Sequence, residues 1–146
     1  PFLTTEGGVN SGYMIVQYAA ASMVSENKVY AHPASVDSIP SSANQEDVVS
    51  MGTTAARKAG MIVQNTLSVL AMELLTACQA IDIRRRLNTH GQGITPLHEA
   101  LYQHVREKVA FFEIDREIWP DIAEVEKMVR SGELLEIVKE YMPEFQ

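Results

Sequence analysis

Apolar positions along this chain recur at helical spacing, and no stretch alternates as a half-buried strand does. In the longest pattern, over residues 45–86, apolar side chains follow one another at steps of four and three, the spacing of a seam between packed helices. These positions are Val63, Leu67, Leu70, Leu74, Ala77 and Ile81. Three arginines at 84–86 close the pattern, where cations suit the negative end of a helix dipole. The sequence therefore predicts one very long helix over 45–86.

Shorter helical patterns surround this one. Asn10 or Ser11 is expected to cap a helix that runs to about Val29, and further helices are predicted over 96–112, 122–131 and 132–141. Pro96 suits a first helical turn and Asp121 can cap the second of these helices. Loops are predicted over 1–9, 34–42 and 87–95. We expect an all-α fold, a bundle built on a long helix with shorter helices towards the C-terminus.

The long helix is nearly uncharged on most of its sides. Between Met61 and Ile81 the only charged residue is Glu73. A second face is also without charge, and it carries Ile62, Val69, Met72 and Thr76. A helix that is apolar on most sides has to be surrounded by other helices. The chain has too few long helices for that, so we expect partner helices from other segments or subunits.

Charge and cysteine content narrow the class of protein. The 146 residues are enough for one domain with a core, and their net charge is −7, of which residues 95–146 carry −6. An acidic surface argues against nucleic acid or an anionic membrane as a partner. The single cysteine, Cys78, is expected to be a small buried hydrophobe in a protein of the reducing cytoplasm. No signal peptide or membrane span is predicted, and the start without Met indicates a piece of a longer polypeptide.

A polar segment at 41–52 is the main candidate for function. It contains six polar residues with one alanine among them: Ser41, Ser42, Asn44, Gln45, Glu46 and Asp47. Capping a helix needs about two such residues, so the segment predicts a polar site at the N-terminus of the long helix. Spacing alone leaves two interpretations of Glu46: a carboxylate that binds substrate or exchanges a proton with it, or a first-turn carboxylate that interacts with the helix dipole. Asn44 and Gln45 are amides that could orient Glu46 or line the pocket.

The histidines do not predict a second site. His32 is expected to be a loop residue rather than a catalytic base. His90, His98 and His104 lie in the acidic C-terminal part; His98 and His104 are six residues apart, which does not place them on one helix face, so a metal site is not expected. No glycine-rich phosphate loop or Ser-His-Asp set is present in the sequence.

Three sequence segments, residues 10–17, 25–38 and 41–52, resemble the aromatic amino acid ammonia-lyase family, and within it the C-terminal part of the histidine-specific branch. The similarity is specific over 1–86 and looser beyond, through Asp115 and Asp121. It implies the central long-helix bundle of that family over 1–94, with the active-site segment, and an acidic C-terminal helical region over 95–146. It also implies a 4-methylideneimidazol-5-one electrophile. The family forms that group from an Ala-Ser-Gly tripeptide, which is absent from these 146 residues.

The resemblance also implies a substrate. Glu46 matches the glutamate that faces the active site in the histidine branch, where phenylalanine- and tyrosine-specific relatives tend to carry an amide. A carboxylate pairs with an imidazole N–H, which a phenyl ring lacks. The implied reaction is the conversion of L-histidine to trans-urocanate and ammonia, with Glu46 as the catalytic and substrate-binding residue and Gln45 and Asn44 as further substrate contacts. Val48 departs from the family, which commonly has His there.

The family forms homotetramers whose active sites combine residues from more than one subunit, so the implied partners are further copies of the chain and the N-terminal part of the enzyme. The isolated segment is expected to be inactive and to self-associate through its apolar helices. Two alternatives remain: a tyrosine or phenylalanine ammonia-lyase or aminomutase of the same family, and a non-catalytic helical oligomerisation module in which the polar segment is only a cap.

Overall fold

Five α-helices make up the described part of the computed structural model, which covers residues 2–87 and 93–145. They are α1 (Met14–Tyr30), α2 (Gly52–Arg86), α3 (Pro96–Lys108), α4 (Trp119–Ser131) and α5 (Glu133–Tyr141). Within those two ranges the only β-type pairings are two isolated bridges. The all-α prediction is confirmed. Most of the predicted loop at 87–95 lies outside the described residues.

The core lies along one face of α2. This helix packs chiefly against α4 and α1, and α3 packs on α5 and on α2. The face of α2 that these helices cover consists of Ser68, Ala71, Met72, Leu75, Cys78 and Gln79. Buried side chains from the other elements meet it, namely Tyr13, Val16, Tyr102, Val105, Val109, Phe112, Val125 and Met128. Cys78 is buried, as predicted, and burial raises the pKa of its thiol to about 11.

The predicted seam of α2 is covered only in part: Leu74 and Ile81 pack against the core. Val63 remains 58% exposed and Leu70 45% exposed. The covered face lies beside the seam, because α1 and α4 pack on the positions from Ser68 to Gln79. The sequence indicated no membrane span, yet α2 is long and apolar enough to cross a bilayer by length and composition alone. The core helix of a soluble protein meets the same criterion.

The predicted start of α2 is wrong. The helix begins at Gly52 instead of near Gln45, its N-cap residue is Met51, and no side chain caps it. Backbone groups upstream are engaged elsewhere, since the Ser41 N–H donates to the Glu46 carbonyl at 2.8 Å. The Val49 N–H donates to the Ser38 hydroxyl at 2.7 Å. The predicted end at Arg86 is confirmed.

The predicted caps of α1 and α4 are also wrong. The Asn10 side-chain oxygen accepts from the Asp115 N–H at 3.1 Å instead of capping α1, which begins at Met14. Asp121 lies in the first turn of α4, which begins at Trp119, and pairs with Arg116 at 2.6 Å. In α3, Pro96 occupies the first turn as predicted.

Buried Gln79 explains why α3 ends at Lys108 and not at Phe112. Its side-chain amide donates to the Phe112 carbonyl at 2.7 Å and accepts from the Phe112 N–H at 3.1 Å, which takes Phe112 out of helical bonding. The same amide donates to the Leu3 carbonyl at 3.1 Å. One side chain of α2 thus satisfies backbone groups of two distant segments that would otherwise be buried without partners. α5 begins one residue later than predicted, because Gly132 has a φ of +81° and separates it from α4.

Asp115 joins the start of α1 to the segment between α3 and α4. Its two carboxylate oxygens accept from the N–H of Ser11 at 2.7 Å and the N–H of Gly12 at 2.9 Å. Gly12 has a φ of +59°, and a Cβ there would lie 2.5 Å from the Phe2 carbonyl oxygen, so only glycine fits this approach. The backbone hydrogen bonds from Ser11 and Gly12 lower the pKa of Asp115 below its ordinary value.

Replacing Asp115 by Asn should therefore destabilise the fold in a pH-dependent way. A carboxyl group with a lowered folded-state pKa stabilises the fold fully above its unfolded pKa, near 3.9, and loses this effect as the pH falls through the folded value. We expect the difference in unfolding free energy between the wild type and Asp115→Asn to be constant near neutral pH and to shrink below about pH 4. Urea unfolding across this range measures it. Glu107→Gln, at an exposed α3 position, is the control, and an equal difference for both variants at every pH would contradict the role of Asp115.

Candidate functional site

Residues 41–46 form a tight turn at the tip of the loop that joins α1 to α2. Ser41 and Glu46 lie opposite each other, with the Ser41 N–H donating to the Glu46 carbonyl at 2.8 Å and the Glu46 N–H donating back at 3.3 Å. The Gln45 N–H donates to the Ser42 carbonyl at 3.1 Å and closes the turn from inside. The backbone position of Glu46 is therefore set by three hydrogen bonds within six residues.

The turn uses a left-handed backbone at three successive residues. Ser42, Ala43 and Asn44 have φ values of +52°, +55° and +65°. Residues other than glycine seldom adopt this conformation, and asparagine tolerates it best. Such strain persists where the surrounding structure imposes it, and it is concentrated at functional sites.

The structure brings together all three predicted site residues, Asn44, Gln45 and Glu46, on this one turn. They do not lie at a helix N-terminus, since Glu46 is six residues before Gly52, the first residue of α2. The interpretation of Glu46 as a first-turn carboxylate is therefore wrong. Its side chain is exposed and accepts from the Ser41 hydroxyl, with 3.3 Å between Oγ and Oε2.

Two further contacts hold the base of this loop, and sequence reasoning missed both. The Lys58 ammonium, in α2, donates to the His32 carbonyl just after α1. The Ser38 hydroxyl accepts from the Val49 N–H across the loop at 2.7 Å. No sequence signal marks either residue, because each contact joins positions that only the fold brings together. His32 is a loop histidine, as predicted, with Nδ1 3.2 Å from the Pro33 carbonyl oxygen.

The described residues around Glu46 form an open surface and not an enclosed pocket. Around Glu46 the loop also exposes apolar side chains, with Val48 87% and Ile39 69% exposed. A ligand site encloses most of its ligand, and no described residue covers this loop from the outside. A groove of about 500 Å³ lies elsewhere, between α1 and α2, and is lined mainly by apolar side chains with Gln17, Thr76 and Glu73 among them.

His98 and His104 make contacts within the fold. The His98 N–H donates to the Thr95 hydroxyl, which caps α3, and His104 Nε2 lies 3.7 Å from Glu133. Residues 2–87 and 93–145 contain no group of three or more side chains that could hold a metal ion. His90 lies outside those ranges.

The loop sequence and the helical frame have clear counterparts among known proteins. The family model for aromatic amino acid lyases matches residues 1–107. The chain belongs to this family. It is 56% identical to a histidine ammonia-lyase of Caldanaerobacter subterraneus over 140 residues, which are 96% of this chain and 27% of the relative. It is 55% identical to the histidine ammonia-lyase of Symbiobacterium thermophilum over 94% of this chain and 26% of the relative.

Solved structures of the family show the same frame. The histidine ammonia-lyase of Trypanosoma cruzi superposes with a TM-score of 0.86 at 48% identity, covering 96% of this chain and 27% of that one. The tyrosine aminomutase of Streptomyces globisporus superposes with a TM-score of 0.84 at 37% identity, covering 95% and 26%. The chain thus spans about a quarter of the length of the relatives it matches.

Removing the Ser38 hydroxyl should loosen the candidate loop. Ser38→Ala leaves the Val49 N–H without its hydrogen-bond acceptor. This lowers the free energy of opening the loop by about 1 kcal/mol, which raises the fraction of open loop about fivefold. We expect glutamyl endopeptidase to cleave the Ser38→Ala segment after Glu46 about fivefold faster than the wild-type segment. This holds when the loop opens and closes faster than it is cleaved, so that the cleavage rate follows the fraction of open loop. Ser35→Ala is the matched control, because Ser35 lies exposed on the same loop. Equal cleavage rates in Ser38→Ala and the wild type would show that this contact does not hold the loop.

Proposed function

We propose that the chain is the C-terminal part of a histidine ammonia-lyase, an enzyme that converts L-histidine to trans-urocanate and ammonia. The observation that carries the proposal is the exposed Glu46 carboxylate on a constrained turn, in a chain 49–56% identical to proteins named histidine ammonia-lyase. The remaining three-quarters, roughly, of the length of such relatives would supply the other walls of the site.

Glu46 would recognise the imidazole ring of the substrate. A carboxylate accepts a hydrogen bond from an imidazole N–H and is attracted to the protonated ring. Once enclosed, an unpaired carboxylate would be costly, so the site would disfavour side chains without a donor. Glu46 would also assist proton movement at the bound substrate. The amides of Gln45 and Asn44, on the same turn, are further candidates for substrate contact.

The electrophile of the family does not fit this segment. A 4-methylideneimidazol-5-one group forms from Ala-Ser-Gly, and no such tripeptide occurs in the 146 residues. In our proposal the group comes from the N-terminal part of the enzyme, and the residues described here bind and orient substrate.

The uncovered surface of α2 supports a multi-subunit assembly, which we propose to be a cytoplasmic homotetramer. Val63 and Leu70 are about half exposed, and only 33% of the most apolar 18-residue stretch of α2 is buried. The groove between α1 and α2 is lined by small side chains such as Ala20 and Ala80, which allow another helix to approach closely. Exposed apolar surface of this extent on helical elements marks an interface.

A tyrosine-acting enzyme of the same family is the second candidate. Two observations favour it: the similarity to the tyrosine aminomutase of Streptomyces globisporus, at a TM-score of 0.84, and the apolar side chain of Val48 two residues after Glu46.

The direct test is urocanate formation by the complete enzyme that carries this segment. We expect an absorbance rise with L-histidine and none with L-tyrosine or L-phenylalanine. Glu46→Gln should lower kcat/KM for L-histidine by about a hundredfold or more, because the amide removes the charge and the proton acceptor. The matched control is Asp47→Asn, an exposed carboxylate next in sequence, for which we expect nearly wild-type activity.

The other outcomes each decide against part of the proposal. A product from L-tyrosine or L-phenylalanine alone would keep the family and overturn the substrate. A folded tetramer without activity on all three amino acids would favour the non-catalytic module. Equal losses of kcat/KM in Glu46→Gln and Asp47→Asn would contradict a specific role of Glu46 in substrate binding and proton transfer.

A further inference from the structure

The carboxylate of Glu46 has one hydrogen-bond partner among the described residues, the hydroxyl of Ser41. The two residues are already fixed opposite each other, because their backbones exchange hydrogen bonds of 2.8 and 3.3 Å. This pairing places the short side chain of Ser41 beside the longer side chain of Glu46, and Oγ lies 3.3 Å from Oε2.

A glutamate side chain on an open loop samples several rotamers, and binding a ligand would then have to immobilise it. A donor that is itself fixed to the backbone opposite restricts the carboxylate before the ligand arrives. The Lys58 ammonium does not orient the Glu46 carboxylate, since it donates to the His32 carbonyl.

From this geometry we infer that Ser41 is a positioning residue for Glu46: its hydroxyl holds the carboxylate in the orientation in which it receives the imidazole N–H of the substrate. The inference rests on the proposed function and deepens it by naming a second residue that determines ring specificity. Ser41 itself does not touch the substrate.

Three variants of the complete enzyme separate this role from general loop stability. Ser41→Ala removes the hydroxyl and leaves the backbone pairing intact. Ser41→Thr keeps a hydroxyl at the same position, where the backbone φ is not positive. Ser42→Ala is the matched control, because it removes a neighbouring exposed hydroxyl that does not contact Glu46.

We expect Ser41→Ala to lower kcat/KM for L-histidine about tenfold, mainly through KM, with an unchanged melting temperature. Ser41→Thr should restore the value to within about twofold, and Ser42→Ala should stay within the same limit. Imidazole-4-propionate and 3-phenylpropionate, which differ in the ring alone, serve as competitive inhibitors. The inhibition constant of the imidazole compound should rise in Ser41→Ala, and that of the phenyl compound should not.

Three results would overturn the inference while leaving the proposed function standing: wild-type kinetics in Ser41→Ala, equal losses in Ser41→Ala and Ser42→Ala, or equal weakening of both inhibitors. Failure of Ser41→Thr to restore activity would also count against a role of the hydroxyl. A wild-type enzyme that forms no urocanate would instead overturn the proposed function, and the inference with it. The wild-type assay therefore distinguishes the two failures.

Discussion

The apolar circumference of α2 is the constraint on which the rest of the structure depends. Three other helices cover only one face of it, the face that contains Ala71, Leu75 and Gln79, and they leave Val63 and Leu70 about half exposed. The covered face forms the centre of the core, since α1, α3 and α4 all pack on it. In our proposal further helices cover the exposed face, because exposed apolar surface of this kind is unfavourable in water.

The same incompleteness applies to the candidate site. The chain contributes a strained, hydrogen-bonded turn that presents Glu46, Gln45 and Asn44, and contacts of Ser38 and Lys58 hold the loop beneath it. A rigid turn suits a site assembled from several segments. It fixes the orientation of the carboxylate before the other segments bind, so assembly and ligand binding need not immobilise it. In our proposal the segment combines an assembly surface on α2 with one edge of a substrate pocket.

Periodicity along the sequence predicted the helices themselves, and it failed where a tight turn or a side-chain contact determined the backbone. The end of α2 at Arg86 follows from local pattern, whereas its start at Gly52 depends on the pairing of Ser41 with Glu46. The end of α3 depends on the buried amide of Gln79. The cluster of polar residues lies on a tight turn and not on a helix as predicted, because side chains that favour caps favour tight turns for the same reason.

Sedimentation velocity of the 146-residue segment tests the central claim, that α2 carries a face which other helices have to cover. The account predicts concentration-dependent association of the wild-type segment. It also predicts a shift towards monomer in Leu70→Lys, because that substitution places a charge on the uncovered face without disturbing the core. Gln103→Lys, at an exposed position of α3, should associate like the wild type. A folded wild-type segment that remains monomeric at high concentration would contradict the account.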